Sequence, residues 1–108
     1  MDVIRLATQE EIAEIAQRSD LGPGSAVVAF GPDRAVIKQI FEIDPMFCDN
    51  LRRKLILKSH LETYLRLTGV PQFYFNIAAD DVEWQDICKK DGAEQVSAVP
   101  ELRFKKVL

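Results

Sequence analysis

The chain has 108 residues, 47% of them hydrophobic, and its 17 acidic and 14 basic side chains are interleaved to a net charge of −3. That length supplies apolar material for one core and too little for two, since domains run at roughly 100 to 200 residues. The charge balance argues against a broad nucleic-acid surface held by phosphate neutralisation. Cys48 and Cys88 stand far apart with no C-x-x-C partner, so neither a disulfide framework nor a zinc knuckle is implied and a reducing, cytoplasmic setting is expected. The opening "MDVIRLATQEEIAEIAQ" carries charges at Asp2 and Arg5 and does not read as a signal peptide. No apolar run approaches the roughly 20 residues of a membrane span, so no membrane contact is expected.

Val3 to Ala7 reads as a short strand, and Thr8 with Glu11 forms a capping box for a helix whose Ile12, Ile15 and Ala16 share one face. "DLGPGS" (Asp20 to Ser25) is a loop. "AVVAF" and "AVIKQIFEI" are β-rich runs on either side of "GPDR", which predicts an antiparallel hairpin of two strands. A long helix follows from about Cys48 or Asp49 to Thr68, closed by Gly69 and Pro71. Its Leu57, Leu61 and Leu65 recur at four-residue spacing, with Leu51, Leu55 and Tyr64 widening the stripe. "QFYFNIA" is apolar enough to predict a central strand buried on both faces. Asp80 and Glu83 can cap a third helix with Trp84, Ile87 and Cys88 on its inner edge and Gly92 at its end. Glu94 to Ala98 and Glu101 to Leu108, separated by Pro100, close the chain as two strands. The predicted order is β-α-β-β-α-β-α-β-β, one α/β domain of the α+β kind with a mixed sheet.

That order and three local words resemble the GNAT acyltransferase superfamily. "VIRLATQEEIAEIA" resembles the family's first strand and helix, "EIDP" before the long helix resembles its cofactor-binding segment, and "CKKDGAEQV" resembles the Y-x-K-x-G-F word after its last long helix. The predicted chain is shorter than usual members, which have a second helix after the first and three antiparallel strands before the long helix. The resemblance implies an acetyl-CoA pyrophosphate held by a Q/R-x-x-G-x-G/A turn opening the long helix, here Asn50, Leu51, Arg52, Arg53 and Lys54. No glycine lies between Gly31 and Gly69, so the backbone anion nest of the family is absent in that form. Cys88 stands where many members have a tyrosine that protonates the leaving thiolate, and Glu42 stands where a general base is often found, with Asp44 on the same face by strand alternation. The competing readings are a core cysteine and a strand-edge charge beside Lys38.

Arg52, Arg53 and Lys54 place three cations in the first helical turn, where the macrodipole prefers anions. They point about 100° apart and cannot converge on one small ligand. Lys54 and Lys58 share an edge, read as a solvated face with partner or anion contact as the alternatives. His60 has no carboxylate or thiol set around it, so no metal site is expected, and Phe73, Tyr74, Phe75 and Trp84 read as core. Together these expectations describe a GNAT-like protein that has lost catalysis and needs no cofactor. It works through a protein partner or as a homo-oligomer, with no nucleic acid. Shortened GNAT-like chains also resemble tailed-phage proteins, which implies a virion assembly component or a small regulator. The alternative is a minimal N-acetyltransferase that uses acetyl-CoA.

Overall fold

In the computed structural model, which describes residues 3–98 and 102–108, three helices begin where a side-chain oxygen accepts from an otherwise unpartnered first-turn N–H. These are α1 (Gln9–Ala16) after Thr8, α2 (Leu51–Leu67) after Asn50, and α3 (Val82–Lys90) after Asp81. Thr8 and Glu11 complete the expected capping box; the cap of α3 is Asp81, one residue later than expected. Gly69 and Gly92 follow α2 and α3 at φ +82° and +97°, the left-handed conformation that ends a helix at little cost for a residue without Cβ.

The strands are β1 (Arg5–Leu6), β2 (Ala26–Phe30), β3 (Asp33–Ile37), β4 (Ile43–Phe47), β5 (Gln72–Ile77), β6 (Glu94–Ser97) and β7 (Leu102–Val107). They form two antiparallel sheets of order β1-β2-β3-β4 and β5-β7-β6, so the fold is α+β. In place of the expected mixed sheet, parallel pairing among the described residues reduces to one bridge between Glu42 and Tyr74, where the Tyr74 N–H donates to the Phe41 carbonyl at 3.0 Å. Pro100 and Glu101, expected between and within the closing strands, lie outside the described residues.

The run "AVIKQIFEI" is not one strand. It turns back on itself between Ile37 and Ile43, which pair across β3 and β4, so three antiparallel strands lie between α1 and α2 and not two. The turn is closed by the Phe41 N–H donating to the Lys38 carbonyl, with Phe41 at φ +55°. A bulky residue there carries strain, and the neighbouring contact with Tyr74 holds it in place.

The core lies on both sides of the four-stranded sheet. Alternation sends Val28, Ala35 and Ile37 to the side where Leu57, Leu61 and Leu65 of α2 pack, all buried, and Val27 and Val36 to the side of Ile15 on α1. Leu51 and Tyr64 border the α2 core as expected, whereas Leu55 is exposed. β5 alternates too: Phe73, Phe75 and Ile77 are buried while Gln72, Tyr74 and Asn76 are half-buried. Its two-sided burial was therefore not realised, because α2 and α3 cover one face and α1 packs against the other sheet.

Candidate functional site

Each sheet ends in an edge strand, β4 in one and β5 in the other, and these two run parallel from the Glu42–Tyr74 bridge. Beyond the bridge they belong to different sheets, and a cleft of about 210 Å³ opens there. Ile43, Pro45 and Met46 of β4 line it, with Phe75 and Asn76 of β5, Trp84 of α3 and Lys54 of α2. Ile43, Phe75 and Trp84 are 3%, 3% and 2% exposed, so these three belong to the core. The Lys54 ammonium sits 4.5 Å from the Trp84 ring centroid, a cation–π contact. Among the described residues no carboxylate pairs with Lys54.

The three first-turn cations of α2 point in three directions, as helical spacing requires. Arg52 is exposed. Arg53 reaches back to the β2–β3 turn and donates to both carboxylate oxygens of buried Asp33, at 2.5 and 3.3 Å, and to Asp49 at 3.0 Å. The Asp33 hydrogen bond raises the guanidinium pKa further. The unfavourable charge against the helix dipole is thus offset by the chain's own carboxylates. Asn50, another expected cofactor contact, spends its side-chain oxygen on the Arg53 N–H at 2.9 Å, and Leu51 packs against the core. Of the five expected cofactor residues, only Lys54 lines the cleft.

Glu42 sits at the bridge joining the two sheets. Its Oε1 accepts from Arg103 at 2.9 Å and from Asn76 at 3.1 Å, and Arg103 also stacks on Tyr74, 4.7 Å from the ring centroid. The carboxylate therefore ties β4 to β5 and β7. The Asp44 side chain, expected beside it, lies outside the described residues. Cys88 is fully buried, and burial pushes its thiol up to about 11. It packs in the core and does not line the cleft.

Lys58 is not on a solvated face. It is buried with Glu62, and its ammonium bonds Glu62 at 2.8 Å and Asp91 at 2.5 Å, while Lys106 of β7 bonds Asp91 at 2.9 Å and approaches Glu62 at 3.5 Å. Two cations and two carboxylates balance. Burial opposes charge on Lys58, yet the hydrogen bonds to Asp91 and Glu62 outweigh it and raise its pKa. Burial likewise opposes ionisation of Asp91, and the bonds from Lys58 and Lys106 outweigh that and hold its carboxyl below the usual range. Sequence reading missed both this network and the Asp33–Arg53 clasp. The one local signal was that Lys58 and Glu62 are four apart beside the leucine stripe.

Compared with protein-family models, with curated proteins and with solved structures, the chain matches none. Among the described residues no group of three His, Cys, Asp or Glu side chains is placed to hold a metal ion. No helix there is long and apolar enough to cross a membrane.

Proposed function

We propose that this chain is a GNAT-like domain without acetyl-transfer activity that works through protein contacts, as an assembly component or small regulator. The observation that carries the reading is at the start of α2: Asn50 caps the helix and Arg53 is held by Asp33 and Asp49. A pyrophosphate arriving there would have to displace two carboxylates from the Arg53 guanidinium, with no glycine turn to receive it. The family resemblance itself gains support from the three antiparallel strands between α1 and the long helix, the count usual members have there. The absence of a helix between α1 and β2 remains a departure on the side where the family forms its acceptor site.

Neither residue suggested for catalysis is free to act in this arrangement. Glu42 already accepts two hydrogen bonds as a tie between sheets, and Cys88 is sealed in the core. The test is incubation of the chain with acetyl-CoA and, in turn, an α-amino peptide, a lysine peptide and a polyamine, with acetyl-CoA loss followed by chromatography. Loss at the rate of the protein-free control is expected. Protein-dependent loss that falls on Glu42→Gln would restore the N-acetyltransferase reading.

A further inference from the structure

A groove of about 370 Å³ lies between α2 and α3, lined by Leu55, Lys58 and Glu62 of α2 and by Ile87, Lys90 and Asp91 at the end of α3. Two of these charged side chains, Lys58 and Glu62, are only 3% and 6% exposed. Apolar side chains of similar volume would serve stability as well as such a network or better, so stability alone accounts poorly for charge on this wall. The bonding of the network is also incomplete there. Lys58 spends two of its three N–H groups, on Glu62 and Asp91. Asp91 receives both Lys58 and Lys106 on Oδ2, while Oδ1 of this half-exposed carboxylate accepts no hydrogen bond among the described residues. Lys90 is exposed and enters no ion pair among the described residues.

The charges on the wall select the ligand. A simple anion drawn to Lys58 and Lys90 meets the carboxylates of Glu62 and Asp91 and the negative end of the α3 dipole. A simple cation drawn to the carboxylates meets two ammonium groups. A small zwitterion satisfies both signs at once, and the apolar walls of Leu55 and Ile87 add a place for a hydrocarbon group. From this we infer that the α2/α3 groove binds a free α-amino acid with an apolar side chain. Its ammonium donates to Asp91 Oδ1, its carboxylate accepts from Lys90 and from the third N–H of Lys58, and its side chain packs between Leu55 and Ile87. The volume is near the lower end of the roughly 300 to 1,000 Å³ of small-molecule sites, which suits a ligand of this size. The inference goes beyond the non-catalytic reading and does not depend on it, because neither Asn50 nor Arg53 lines this groove.

Calorimetric titration of the full chain with leucine, isoleucine and phenylalanine, without acetyl-CoA, tests this. Saturable binding of at least one of them at about 1 mM or tighter is expected. The N-acetyl and the amide derivatives of that amino acid, each lacking one of its two charges, should bind roughly tenfold or more weakly, the loss of one hydrogen bond between charged groups. Lys90→Met should weaken the amino acid and leave its amide unchanged, whereas Lys89→Met, outside the groove, should alter neither. Ile87→Trp, which fills the groove without touching charge, should abolish binding while circular dichroism shows the fold retained. No saturable heat with any of the three amino acids up to about 10 mM, weaker than the useful range of such a site, would overturn the inference. So would derivatives that bind as tightly as the parent amino acid, or binding indifferent to both Lys90→Met and Ile87→Trp. Each of these results leaves the account of the α2 terminus standing, since acetyl-CoA alone tests that.

Discussion

Replacing Lys58 by Met probes the least expected feature of the fold. Lys58 is 3% exposed, and its ammonium is the shortest link between Glu62 and Asp91, at 2.8 and 2.5 Å. Without it, Glu62, 6% exposed, keeps among the described residues only Lys106 at 3.5 Å. Stripping a buried charge of its partner costs about 3 to 5 kcal/mol. Asp91 is half-exposed and retains Lys106 at 2.9 Å, so solvent screens that part of the loss, while Met refills the volume. The expected destabilisation is about 3 kcal/mol, the lower end of that range. Adding Glu62→Leu removes the orphaned carboxylate and leaves Asp91 with Lys106 as a balanced pair, so the double variant should return to within about 1 kcal/mol of the parent. Guanidinium unfolding with a common m-value reads both. A single variant that loses under about 0.5 kcal/mol, the range of ordinary surface changes, would refute the buried network. So would a double variant as unstable as the single.

Leu61→Ala should cost about 2 to 5 kcal/mol, because Leu61 is fully buried at the centre of the α2 stripe; denaturation curves check it, and a loss under about 0.5 kcal/mol would contradict that packing. Glu11, bonded by Arg5 and by the Thr8 N–H, has its carboxyl lowered to about 2 from an ordinary 4.5. Its contribution is present above pH 4.5 and lost as pH falls toward 2, so the stability gap between the parent and Glu11→Gln should close across that window in acid unfolding; a gap independent of pH would contradict this. Arg53→Ala should lower thermal stability more than Arg52→Ala, because only Arg53 partners the buried Asp33 carboxylate; equal effects in thermal melts would undo the account of the α2 terminus.

Much of the fold is legible along the chain because its signals are local. The Thr8–Glu11 capping box, the Leu57, Leu61 and Leu65 stripe, and the glycines after α2 and α3 each depend on neighbours within a turn or two. The β3–β4 turn was not legible. It contains no glycine, proline, asparagine or aspartate, and Phe41 takes its left-handed conformation beside a strand far along the chain, through the Tyr74 contact. The Lys58 network hid for a similar reason: an i, i+4 Lys–Glu pair reads as a surface pair until Asp91 and Lys106 arrive to bury it. At the candidate site the missing glycine turn was readable, since it is an absence of residues. That Asp33 fills the electrostatic role at the α2 terminus was not, because a turn aspartate carries no mark of the helix it will reach.

The central claim is that the start of α2 is closed to a cofactor by the chain's own groups, and calorimetric titration with acetyl-CoA tests it most directly. No saturable heat up to about 1 mM ligand, a limit of roughly 4 kcal/mol of binding, is predicted for the parent chain. Binding tighter than about 100 μM, worth roughly 5.5 kcal/mol, would contradict the claim, and its loss on replacing Arg52, Arg53 and Lys54 by Ala would show that side-chain cations do the work of the missing glycine nest.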